Sequence, residues 1–267
     1  DPFFKNFTTY DNLKTTLQFW CKNSQGWCNF IPVYGRSYEG RDLFGAIVTN
    51  PAVNQNKTYV WINAGLDGSS TLAPTTAAYM VRALIYDSYY PDIADLLQKY
   101  SFVFTPMANP DGFEYSRKNK VAWKKNRSIQ KAGNFGVDLT RNFDDHFCQF
   151  GGSTNPKDTN YCGPKAFSEP ETYYLLQFAR KLQRGLWSVL DMYDGGQMLA
   201  RAPAWSYTYT MNNAIEKGIT DGMGIALQQA GYSYSSVVAS EKFGLNSGSL
   251  LDFVELQLHA PSFRLYL

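Results

Sequence analysis

Three aspartates lie in two short segments where side chains could do chemistry: Asp67 in Gly65-Leu66-Asp67-Gly68-Ser69-Ser70, and Asp191 and Asp194 on either side of Tyr193. Grouped carboxylates can hold Ca²⁺ or Mg²⁺ through oxygen. The commoner outcome is separate acids, each hydrogen-bonded or solvated. The chain has only two histidines, His146 and His259. No Ser-His-Asp or Cys-His nucleophile is apparent, and a two-histidine metal site is not expected. The four cysteines, Cys21, Cys28, Cys148 and Cys162, contain no C-x-x-C pair, which argues against a zinc knuckle or a redox motif. Asp111, in Asn109-Pro110-Asp111-Gly112, reads as a turn former.

These residues need a frame. Apolar spacing predicts helices over 10–20, 73–86, 169–184 and 211–230. Aromatic and β-branched runs predict strands at 30–34, 43–48, 58–64, 100–105, 187–192 and 261–267, with a strand-like piece at 136–139. Alternating strands and helices indicate a single α/β domain over 1–267, with a mixed, mainly parallel central sheet flanked by helices. In such sheets the working site lies beyond the carboxyl ends of the strands. Three loops fall there: 65–70, 109–112 and 193–197. The polar, irregular stretch 117–165 is also of the kind that carries function.

The formal charge of +2 gives no electrostatic case for nucleic acid, and no apolar run reaches the roughly 20 residues of a membrane span. The close spacing of Cys21 with Cys28, and of Cys148 with Cys162, suggests two local disulfides; four free thiols are the other reading. Three sequons, at Asn6, Asn56 and Asn126, favour the first and imply a secreted or secretory-lumen glycoprotein. The chain begins at Asp1, consistent with a processed precursor.

Ordered motifs then give a resemblance. The stretches G-R-S-Y-E-G-R from Gly35, N-P-D-G-F from Asn109, W-K-K-N-R-S from Trp123, G-V-D-L-T-R-N-F from Gly136 and G-P-K-A-F-S-E-P-E from Gly163 resemble, in order, motifs of the carboxypeptidase A/B family of zinc exopeptidases. The resemblance implies that family's fold, with its closing C-terminal helix missing beyond Leu267. It also implies a site built from two His and one Glu on zinc, a glutamate base, an oxyanion arginine, and an Asn-Arg pair that grips the substrate's carboxylate.

Mapped onto this chain, Asp67, Ser70 and Tyr193 take the three metal-ligand positions, and Ser69 takes an arginine position beside them. Tyr266 takes the catalytic base, Lys124 the oxyanion arginine and Thr140 the Asn beside the retained Arg141. Leu251 takes the specificity-pocket position. Glu255 is an alternative base in another register, but its spacing from Asp252 favours Tyr266. A hydroxyl and a neutral phenol are poor zinc ligands. The expectation is therefore no zinc, no enzyme activity, and a binding or assembly module: a protein partner or self-association, or a peptide C-terminus held at Arg141. Arg141 as a scaffold residue paired with Asp144, Asp145 or another loop carboxylate is the competing reading. An enzyme that still releases C-terminal amino acids is the second hypothesis.

Overall fold

The computed structural model describes residues 3, 8–53 and 58–267. Eight strands form one sheet in the order β1-β2-β4-β3-β5-β8-β6-β7. They are β1 (Cys28–Arg36), β2 (Asp42–Val48), β3 (Thr58–Ala64), β4 (Tyr100–Thr105), β5 (Leu186–Tyr193), β6 (Met198–Arg201), β7 (Ser235–Val238) and β8 (Ser262–Tyr266). The middle block β4-β3-β5-β8 is parallel throughout. β2 joins it antiparallel on one side and β6 on the other.

Strand alternation divides the core between the two faces of the sheet. Ile62, Phe104, Met192 and Leu265 point to one face. There they meet Leu13, Leu17 and Trp20 of α1 (Tyr10–Lys22) and Ala77, Val81 and Ile85 of α2 (Leu72–Tyr86). Trp61, Val103 and Val189 point to the other face and pack on Leu175, Phe178 and Leu182 of α5 (Pro170–Leu182). A parallel neighbour requires a crossover. Between β3 and β4 it is made by α2 and α3 (Pro91–Lys99). The observed architecture is the mixed, mainly parallel sheet flanked by helices that the sequence predicts. Among the described residues no helix is long and apolar enough to cross a membrane.

Some local expectations are corrected. Asn109-Pro110-Asp111-Gly112 does not close a turn; it opens α4 (Pro110–Asn119). The Asn109 side chain accepts from the Gly112 N–H at 3.0 Å, and Pro110 takes the first helical position, where its missing N–H costs nothing. Asp111 is buried there and organises the neighbouring turn. It accepts from the Ser37 hydroxyl (2.7 Å), the Glu39 N–H (2.7 Å) and the Arg41 guanidinium (2.6 Å). The strand-like piece at 136–139 leads into a 3₁₀ turn, Leu139–Arg141, whose Thr140 N–H is met by the Asp138 carboxylate.

Both disulfides are present, Cys21–Cys28 and Cys148–Cys162. Asn126 cannot carry a glycan in this fold. It is fully buried, and its amide donates to Glu169 (2.8 Å) and Glu171 (3.0 Å). The sequon asparagines Asn6 and Asn56 lie outside the described residues.

Candidate functional site

A cavity of about 200 Å³ opens beyond the carboxyl ends of β3, β5 and β8. Its first wall is the loop after β3. Gly65 turns the chain with a positive φ of 72°, and Asp67, Ser69 and Ser70 then face the cavity. Gly68 donates its N–H to the Lys124 carbonyl at 2.9 Å. A Cβ on Gly68 would sit 2.8 Å from both Gly112 and the Trp123 carbonyl, so only glycine lets these loops approach. That approach brings Lys124 to the cavity.

Asp67 accepts from the Ser69 N–H (2.9 Å) and hydroxyl (2.6 Å). Burial raises its pKa, against the lowering effect of these bonds and of Lys124. The buried Asp138 anchors the second wall. It accepts from the Thr140 N–H (3.1 Å) and hydroxyl (2.6 Å), and pairs with Arg141 (3.1 Å) and Lys124 (3.3 Å). Arg141 also donates to Asn246 at 2.8 Å. Thr140, Lys124 and Asn246 therefore line the cavity, while Arg141 stands behind them as a brace. Its partner is Asp138, another carboxylate of the same loop region, as the scaffold reading allows, while Asp145 pairs with His146 at 2.9 Å.

The floor is a row of polar side chains set at one level across the sheet. The Thr105 hydroxyl of β4 donates to Asn63 of β3 (2.8 Å). Asn63 donates to Asp191 of β5 (2.7 Å), and the Tyr193 hydroxyl donates to the other Asp191 oxygen (2.6 Å). Asp191 is paired in register with Arg264 of β8. Burial pushes the Asp191 pKa up to about 6, and the Tyr193 and Asn63 bonds and the Arg264 charge oppose that shift. Burial drives the Tyr193 phenol higher still above its ordinary value, so it keeps its proton and points into the sheet. Tyr266 stacks on Tyr193 with ring centroids 5.4 Å apart and lines the cavity.

The structure thus brings Asp67, Ser70, Lys124, Thr140, Tyr193 and Tyr266 to one cleft. Leu251 does not join them. It is buried among Ala200, Ala202, Ala204 and Ala239. Glu255 is also elsewhere, accepting from Asn212 at 2.9 Å. Asp194 reaches the cleft but is committed to the N-terminus of α2, accepting from the N–H groups of Thr71 (2.6 Å), Leu72 (3.0 Å) and Ala73 (2.7 Å). Asp67, Asp191 and Asp194 consequently make no shared oxygen site for Ca²⁺ or Mg²⁺. Two cleft residues were not foreseen, Asn246 and Arg264. The signal for the second was an arginine inside an otherwise apolar strand pattern.

The cleft lies at the carboxyl ends of the parallel strands, where open α/β sheets bind their ligands. The fold matches that of thrombin-activatable fibrinolysis inhibitor with a TM-score of 0.92 at 22% identity, covering 98% of this chain and 66% of that one. The chain belongs to the zinc carboxypeptidase family, whose model matches residues 27–267. It is 34% identical to carboxypeptidase B of Canis lupus familiaris over 67% of this chain and 43% of the relative. It is 29% identical to human carboxypeptidase A6 over 93% of this chain and 57% of the relative. The chain thus spans about half the length of these two curated relatives.

These relationships overturn the expectation that the chain is not an enzyme. Its family and its relatives are peptidases by name, and no feature of the structure shows inactivity. The donor set at the family's ligand positions nevertheless does not fit zinc. Asp67 is the one carboxylate, Ser70 offers a hydroxyl, and the Tyr193 oxygen is protonated and bonded to Asp191. Among the described residues no three His, Cys, Asp or Glu side chains are grouped to hold a metal ion.

Proposed function

We propose that the chain acts at the free C-terminal end of a peptide, taken into the cleft, and releases the terminal amino acid as the family's name states. The observation that carries this reading is the cation Lys124 lining a cavity at the strand ends of a carboxypeptidase fold. Thr140 and Asn246 add hydrogen-bonding groups to the same wall. A carboxylate entering this wall gains charge-assisted hydrogen bonds that an amide does not. No step is assigned to zinc, because the donors at its family positions do not suit it.

Calorimetric titration with one peptide, free and amidated at its C-terminus, tests recognition. The free acid is expected to bind at least roughly tenfold more tightly; equal binding would sink the reading. Mass spectrometry of the same mixtures, with zinc added and with chelator, measures release of the terminal residue. Loss of that residue is expected, and a peptide left intact in every mixture would overturn release.

The two disulfides support a secretory route, since such bonds persist in oxidising compartments. We extend the proposal to glycans at Asn6 and Asn56 and none at Asn126. Peptide mapping after glycosidase treatment should find deamidation marks at the first two alone, and a mark at Asn126 would contradict its burial.

A further inference from the structure

Arg264 is 4% exposed, yet its guanidinium makes no hydrogen bond or ion pair among the described residues. Its Nε is buried without an acceptor. A guanidinium carries five N–H donors, and leaving a buried charge unpaired is costly. Two carboxylates lie near enough to act on it electrostatically, Asp191 and Asp252. Both have their oxygens engaged by other donors. Asp191 serves Asn63 and Tyr193. Asp252 serves the Ala204 N–H (2.8 Å) and the Ser249 hydroxyl (2.8 Å). The Tyr193 ring, with the guanidinium 5.7 Å from its centroid, offers a cation–π contact but no acceptor.

The remaining direction is the cavity, which Arg264 lines. Lys124 is more exposed, at 37%, and already leans on Asp138. The two cations therefore differ in kind: one near solvent and partly neutralised, the other at the floor with its donors unspent. A peptide end has one main-chain carboxylate, which a single cation satisfies. The second cation calls for a second anion on the same residue.

We propose that Arg264 makes the cleft floor a subsite for a side-chain carboxylate, so that the preferred ligand is a peptide ending in Glu or Asp. This rests on the peptide C-terminus reading above and names its substrate class. The cavity's volume of about 200 Å³ suits a short acidic side chain. Leu251, at the family's specificity position, is packed away from the cavity and leaves the discrimination to Arg264.

The test compares peptides ending in Glu, Gln and Leu, each free and amidated, by calorimetry on the native protein and on Arg264→Met. The Glu peptide is expected to bind native protein at least roughly tenfold more tightly than the Gln peptide. Arg264→Met should erase that preference while keeping discrimination between free acid and amide. Equal binding of Glu and Gln peptides, with that discrimination intact, overturns the subsite and leaves the broader reading standing. Free glutarate against glutaramate gives an arm independent of peptides. Glutarate should raise the thermal midpoint of the native protein and not that of Arg264→Met, and equal effects on both proteins count against the subsite. If Arg264→Met does not fold, Arg264→Lys serves. It retains charge without the fork and should weaken the Glu preference, whereas an unchanged preference overturns the assignment.

Discussion

Asp191→Ala is expected to destabilise the protein by about 3–5 kcal/mol, the range for removing one member of a buried charged network. The substitution leaves the Asn63 amide and the Tyr193 hydroxyl without their acceptor and removes a negative charge facing Arg264. All of these groups are buried on the sheet, so water cannot easily replace the lost bonds. Guanidinium denaturation of the two proteins measures the difference. A loss under about 1 kcal/mol would mean that the row across the sheet contributes little, as for ordinary surface changes. Asp191→Asn should fall between, because one carbonyl oxygen still accepts.

Stability is also expected to decline as pH rises through neutrality, which is the reverse of the usual carboxylate effect. Glu171 is fully buried, and burial pushes its pKa up to about 8 from an ordinary 4.5. The Glu216 pKa is likewise raised, first by burial and then by Glu255 beside it. Below the lower value both states hold the proton. Between the two values the unfolded chain releases it and the folded chain retains it, so each step up in pH favours unfolding. A tenfold difference in proton affinity is worth about 1.4 kcal/mol, so the loss from about pH 5 to about pH 8 should be on the order of 3 kcal/mol for each of the two groups. Glu216→Gln keeps the acceptor for the Ser262 N–H and removes the like charge. Denaturation curves at both pH values should show a smaller decline in this variant. A decline unchanged from the parent would show that Glu216 is not the titrating group.

The frame was legible where one type of signal acted alone. Thr58–Ala64 and Tyr100–Thr105 are continuous β-forming runs closed by breakers, and they are strands over those residues. Asn109-Pro110 was ambiguous because Asn and Pro serve turns and helix starts alike. What decides is whether the chain after Gly112 can pack, and Phe113 does so at 2% exposure. β6 and β7 are four residues each and owe their form to neighbours in the sheet, which no local pattern displays. In the cleft, motif order located Asp67, Lys124, Thr140, Tyr193 and Tyr266. It could not foresee the direction of a side chain. Arg141 turns to Asp138 and Asn246, Leu251 turns into an alanine cluster, and the floor passes to Arg264, two residues before Tyr266 on the same strand.

β8 is held on both flanks, parallel to β5 and antiparallel to β6, with Arg264 opposite Asp191 on one side and Ala200 on the other. The anchor of the cleft's deepest cation is thus a woven stretch of main chain and not a hinged loop. An incoming anion meets a counter-charge already immobilised when the polypeptide folded, and little ordering remains to be done on arrival. Sheltered from mobile ions, that attraction should persist in salt concentrations that would blunt a surface lysine.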